Sequence, residues 1–190
     1  DRDRKGSLLW VLDKTKTAMC ARTLRHFIEQ PLLYKSDIEY RQNAVEAFFK
    51  DSISRDELRE YLNQIYDLER LLCKVSYQSV NPRDMIAFRN SLEMLPHIKV
   101  VLEPFETAQI VELREEIDDL KDVYRMIADA ILEEPPLQTK EGGIIKEGYH
   151  PDIDYLRNAK TEGKTWLIEL ENTERERTGI KNLRIKFNKV

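Results

Sequence analysis

PDIDYLRNAKTEGKTWLIELENTERERTGIKNLRIKFNKV, residues 151–190, holds two secondary-structure patterns in succession, and the change between them decides the fold. Asp152 to Arg177 reads as one helix. Pro151 sits at its first position, where the missing N–H costs nothing, and Asp152 suits the positive end of the helix dipole. Ile153, Leu156, Ala159, Gly163, Trp166 and Leu170 recur at three- and four-residue steps, which predicts a buried stripe along the first part. From Glu171 to Arg177 the residues are polar all round, the pattern of a helix that bridges solvent between packed bodies. At ~1.5 Å per residue the whole element is about 40 Å long. Gly179 is placed to terminate it. Leu183, Ile185 and Phe187 then alternate with Arg184, Lys186 and Asn188, which is strand period. A lone strand has nothing to pair with. The expectation is therefore a fragment that ends just inside a second domain.

Composition agrees with a helical body. Apolar residues make up 41% and charged residues 35% of the 190, which suits a thin core with broad solvated faces. The net charge of −4 hides an asymmetry. Arg177, Lys181, Arg184, Lys186 and Lys189 give the last fourteen residues a local +5 with no acid, so the remainder sums to −9. Such a run serves a binding surface or, equally, protects a strand edge from aggregation. Cys20 and Cys73 lack partner spacing and point to free thiols in a reducing compartment. No apolar run approaches the ~18 residues of a membrane span, and the first residues are not a signal peptide. A cytoplasmic protein is expected.

The rest of the chain reads as helices in series. Asp1 to Gly6 is a charged linker. Ser7 caps a short helix through Leu8, Leu9, Val11 and Leu12. Thr17 caps a second, Ala18 to Glu29, stopped by Pro31. Ser36 with Glu39 predicts a capping box for a helix with Ile38, Val45, Phe48 and Phe49 inward. Leu58, Leu62, Ile65, Leu68, Leu71, Leu72 and Val75 form a long stripe, either two helices or one kinked one. Asn81–Pro82 is a start signal for a helix with Met85, Phe88, Leu92 and Leu95 on one face up to Pro96. After Pro104, Ile110, Leu113, Ile117, Leu120, Tyr124, Ile127 and Ile131 keep helical spacing until Pro135–Pro136. Gln138 to Tyr149 reads as a turn or small hairpin. No fixed-period repeat is present, which argues against a solenoid. The predicted class is all-α: a multi-helix bundle with a long projecting C-terminal helix that ends in a short truncated strand.

Candidate chemistry is sparse. Gly163–Lys164–Thr165 resembles the end of a phosphate-binding loop, but that motif needs a glycine five residues earlier, where Asn158 stands. The stretch also falls mid-helix. Gly142–Gly143 is too short for a dinucleotide fingerprint. His26, His97 and His150 have no metal-ligand spacing to each other or to the cysteines. Arg22 and Arg25 lie near Cys20, yet no histidine or acid supports a nucleophile there. Carboxylates interleave with bases at helical spacing, as in Glu57-Leu58-Arg59-Glu60, which solvated faces explain. No catalytic, cofactor or metal residues are assigned.

Several segments together resemble the middle of the MutS family of DNA mismatch-repair proteins. They are Leu12-Asp13-Lys14-Thr15-Lys16-Thr17-Ala18-Met19 with Ala21-Arg22-Thr23-Leu24-Arg25, Tyr66-Asp67-Leu68-Glu69-Arg70-Leu71, and Asn81-Pro82-Arg83-Asp84. Glu141-Gly142-Gly143-Ile144-Ile145-Lys146-Glu147-Gly148-Tyr149 and Glu174-Arg175-Glu176-Arg177-Thr178-Gly179-Ile180 follow, and these two are specific. Cys20 departs from the family's usual glycine, and His150 from its usual asparagine. The resemblance covers essentially the whole chain. It implies a linker over 1–6, a helical lever or core domain over 7–177, and the start of a DNA clamp over 178–190. It also implies that the mismatch-reading wedge and the ATPase, with its ATP and Mg, lie in other domains, so the segment itself is not an enzyme. Duplex DNA, a homodimeric partner and a downstream repair protein are the implied partners of the full protein.

Lys181, Arg184, Lys186 and Lys189 are then the expected contacts to DNA phosphates, since basic residues without base-reading companions hold backbone. On a strand Arg184 and Lys186 share one face, and Lys181 and Lys189 the other. At most half can meet one DNA surface, so weak binding without mismatch preference is expected. A helical protein–protein scaffold with no DNA role is the competing reading. Further basic strands after Val190, followed by a helix returning to the bundle, would distinguish the first from the second.

Overall fold

The computed structural model describes residues 5–185. In order, its α-helices are α1 (Leu8–Leu12), α2 (Ala18–Glu29), α3 (Lys35–Lys50), α4 (Ser52–Asn63), α5 (Leu68–Ser76), α6 (Pro82–Glu93), α7 (Leu95–Leu102), α8 (Ala108–Glu116), α9 (Lys121–Ala130) and α10 (Pro151–Thr178). Helix reaches 69% with no sheet among the described residues, so the fold is all-α. Residues 1–144 and 145–190 form two separate compact units.

In the first unit, helices start where short polar side chains can take up orphan N–H groups. Ser7 Oγ accepts from Trp10 N–H at 3.2 Å, and Thr17 Oγ1 from Cys20 N–H at 3.0 Å. At α6 the box is reciprocal. Asn81 Oδ1 accepts from Asp84 N–H at 2.8 Å, while Asp84 Oδ2 accepts from Asn81 N–H at 3.1 Å, with Pro82 at the first helical position. The box expected from Ser36 and Glu39 does not form. The helix α3 already begins at Lys35, so Ser36 lies inside the first turn, and its hydroxyl bonds the Asp37 carboxylate at 3.2 Å.

Two apolar clusters fill this unit. The first gathers Ala44, Ile98, Leu102, Phe105 and Ile110, with Phe48 against Phe105 at a centroid distance of 4.7 Å. The second gathers Leu71, Phe88, Leu92 and Ile127. On α3 the inward positions are thus Ala44, Ala47 and Phe48, whereas Val45 and Phe49 are exposed. Two aromatic residues in succession cannot share one helix face, and Phe48 took the buried side. The apolar stripe from Ile110 to Ile131 is not one helix either. It breaks between α8 and α9, where Leu120 has φ +47°, a left-handed conformation uncommon outside glycine. Leu120 N–H bonds Asp118 Oδ1 at 2.9 Å, and the Lys99 ammonium donates to the Ile117 carbonyl at 3.0 Å. The break places Ile110 in one cluster and Ile127 in the other, which gives each half of the stripe its own core. Leu58 to Val75 likewise divides into α4 and α5, each capped by an aspartate, Asp51 and Asp67.

Arg22 on α2 ties the cap of α5 in place. Its guanidinium donates to both oxygens of Asp67, at 2.7 and 2.8 Å, and to Glu69 at 2.9 Å. The Arg22 hydrogen bonds hold the Asp67 carboxyl below its ordinary range, against a smaller opposing effect of burial. A carboxylate with a depressed folded-state pKa stabilises the fold above its unfolded value of ~3.9 and stops doing so as pH falls through the folded one. Asp67→Asn keeps a competent cap but loses the charge, so at pH 7 it is expected to cost ~0.5–1 kcal/mol. That difference shrinks below pH 4. Urea midpoints of both proteins at pH 7 and 3 measure it, and an undiminished gap at pH 3 would assign the loss to something other than the ion pair.

In the second unit α10 runs 28 residues, about 42 Å at ~1.5 Å per residue. Pro151 is at its start, and Gly179, with φ +71°, closes it through a 2.9 Å bond from its N–H to the Arg175 carbonyl. The expected buried stripe is not buried: Leu156 and Trp166 are 65% and 60% exposed, and no residue of α10 is buried. Periodicity defines an apolar face without supplying what covers it. Within the expected turn or hairpin from Gln138 to Tyr149, the first unit holds a 3-10 turn over Thr139–Glu141.

Candidate nucleic-acid interface

The basic segment is organised from the last turns of α10. Glu171 and Arg175, one helical turn apart, form an ion pair. Arg175 Nε donates to the Leu183 carbonyl at 2.8 Å, and Glu171 Oε2 accepts from Ile185 N–H at 3.0 Å. Gly179 turns the chain, Leu183 N–H closes on the Ile180 carbonyl at 3.2 Å, and residues 183–185 return along the helix end. Leu183 and Ile185 are half-buried by this return, while Lys181 and Arg184 are exposed.

Of the five cations counted in the sequence, Arg177 is engaged. Its Nε and Nη2 donate to Glu174 Oε2 at 2.9 and 2.6 Å, which holds the Glu174 carboxyl below its ordinary range and raises Arg177. Arg177 stays exposed despite this pairing, and Lys181 and Arg184 are exposed as well. Lys186 and Lys189 lie outside the described residues, as does Phe187. Leu183 to Ile185 are irregular rather than strand, because Ile185 N–H and the Leu183 carbonyl are committed to α10 side chains instead of a neighbouring strand.

The N-terminal end of α10 is tied in the same manner. Asp154 Oδ2 accepts from Gly148 N–H at 2.9 Å, Arg157 Nη2 donates to the Ile145 carbonyl at 2.8 Å, and the two side chains pair at 3.1 Å. His150 Nδ1 accepts from Asp152 N–H at 3.3 Å, an N-cap role that asparagine also performs.

Gly163, Lys164 and Thr165 lie inside α10, and the Thr165 hydroxyl bonds the Thr161 carbonyl at 3.1 Å. The N–H groups there belong to the helix and cannot cradle a phosphate. His97 stacks on Tyr61 at 5.2 Å. No cluster of three metal-ligating side chains occurs among the described residues, and no described helix is long and apolar enough to cross a membrane. Sequence reading missed Glu171 and Arg175 by treating 171–177 as uniformly solvated. Their i, i+4 acid–base spacing was the available signal.

The family model for MutS domain III matches residues 1–189. Proteins named DNA mismatch repair protein MutS align along the full length of this chain. That of Lachnoclostridium phytofermentans is 57% identical, that of Ruminiclostridium cellulolyticum 50%, and that of Staphylococcus epidermidis 46%. The chain spans 20–22% of the length of these relatives. With all its described helices and caps inside the matched region, the chain belongs to the MutS domain III family.

Proposed function

We propose that this chain is the lever segment of a DNA mismatch-repair ATPase, and that its basic tail opens the clamp that encloses duplex DNA. The observation that carries the reading is the exposure of Lys181 and Arg184 on a tail whose Leu183 carbonyl and Ile185 N–H are tied to α10. A helix keeps its backbone bonds internal and moves nearly as a rod, which suits α10 to carry a displacement along its length. Exposed Lys and Arg suit phosphate contacts, which position a protein without reading sequence. In this reading ATP and Mg act in another domain of the full protein, which also reads the mismatch, pairs with a second copy and recruits a downstream repair protein. The chain by itself neither binds nor hydrolyses ATP.

Fluorescence anisotropy on matched and mismatched duplexes tests this. Few contacts and a net charge of −4 predict weak, salt-sensitive binding without mismatch preference. Arg184→Ala with Lys186→Ala should lower the slope of log affinity against log salt by about 1–2. Tight, mismatch-selective binding would move recognition into this segment and contradict the proposal.

A further inference from the structure

Both ends of α10 carry the same arrangement of four groups. An acid and an arginine on the helix pair with each other, the acid takes a backbone N–H of the flanking chain, and the arginine donates to a nearby backbone carbonyl. At the first end these are Asp154 with Gly148 N–H, and Arg157 with the Ile145 carbonyl. At the second they are Glu171 with Ile185 N–H, and Arg175 with the Leu183 carbonyl. Neither pair is a solvated surface contact of the ordinary kind. Each joins helix side chains to main chain that has left the helix.

We infer that Glu171 and Arg175 are positioning residues, a latch that sets the path on which the basic tail leaves α10 and so aims Arg184. The chemistry favours this over a direct role in binding anions. The Arg175 guanidinium is half-buried and already engaged by a carboxylate and a carbonyl, so a phosphate would have to displace both. Glu171 would repel a phosphate outright. Arg184, between the two anchored residues, is held outward by the anchoring of Leu183 and Ile185 on either side of it. Without the latch, the tail up to Ile185 keeps the short-range bonds of Ile180 N–H to Thr178 Oγ1 and of Leu183 N–H to the Ile180 carbonyl.

The inference rests on the proposed clamp role for what Arg184 touches, but not for the latch itself. Amide hydrogen exchange on the 190-residue chain reads the latch directly. In Glu171→Ala the Ile185 amide should exchange about tenfold faster, as expected from losing a charge-assisted hydrogen bond. Arg175→Ala should do the same through the lost pairing, and the double variant should be no faster than either single one. Arg175→Lys keeps the charge but not the fork, and should fall with Arg175→Ala rather than with the unaltered chain. Amides around Leu170 should not change in any of them. Unchanged exchange at Ile185 overturns the latch. Acceleration spread evenly along the last turns of α10 also overturns it, since that would mark helix-end stabilisation instead. If Ile185 responds as expected while anisotropy finds no contribution of Arg184 to duplex binding, the latch stands and the DNA reading fails.

Discussion

Ile110→Ala is expected to lower the unfolding free energy by about 2–5 kcal/mol, the range for emptying a buried aliphatic site that cannot fully collapse. Ile110 is 1% exposed and lies among Ala44, Ile98, Leu102 and Phe105. These come from α3, from α7 and from the turn after it, so the cavity would open where three parts of the chain meet. Leu113 is 51% exposed on the same helix, and Leu113→Ala should change stability by no more than about 0.5 kcal/mol. Urea denaturation followed by circular dichroism separates the two. Equal effects would mean that the first cluster is not the core of this unit.

Ser91→Ala removes a single oxygen and should still cost about 1–3 kcal/mol, because it leaves a donor without its acceptor. Ser91 is fully buried. Its Oγ accepts from Tyr66 N–H at 3.0 Å and donates to the Ala87 carbonyl at 2.8 Å. The first bond fastens the connection between α4 and α5 to the side of α6, which no backbone ladder does. Ser76 offers the control. Its hydroxyl also bonds a carbonyl of its own helix, that of Leu72, but at an exposed site. Ser76→Ala should be within about 0.5 kcal/mol of the unaltered chain. A comparably small loss for Ser91→Ala would show that water or a shifted side chain reaches Tyr66 N–H.

Ser91 also marks the limit of what the sequence discloses. Local signals act over three or four residues, and most of them were legible, although Ser36 with Glu39 pointed to a box that does not form. Thr17 before Ala18, Asn81–Pro82 with Asp84, and Gly179 after α10 each name a helix end through a hydrogen bond or backbone conformation fixed by the residue itself. Contacts across 25 residues, as from Tyr66 to Ser91, leave no local pattern. The break at Leu120 was hidden for a related reason. Apolar spacing continues through it in phase, because the residues on each side serve different clusters, and a left-handed leucine carries no glycine to announce it. On α3 the competition between Phe48 and Phe49 for one face is settled by Phe105, far along the chain.

The tail was legible in charge but not in geometry. Counting cations gave a +5 segment, and strand period suggested alternating faces. The structure instead engages Arg177 with Glu174 and ties Leu183 and Ile185 to α10. Alternation requires a neighbouring strand to hold it. In the described residues the helix end supplies those hydrogen bonds, and it leaves Lys181 and Arg184 exposed by a different route.

Whether α10 leads into a DNA-enclosing clamp, as proposed, is decided by lengthening the tail. The segment that follows the matched region in the Lachnoclostridium phytofermentans relative, joined after Val190, can be compared with the 190-residue chain on one duplex across a salt series. A clamp adds phosphate contacts, and each should steepen the slope of log affinity against log salt by about 0.9. The expected result is tighter binding with a steeper slope for the longer chain, both reduced by Arg184→Ala. Equal weakness and equal slope in the two chains would contradict it.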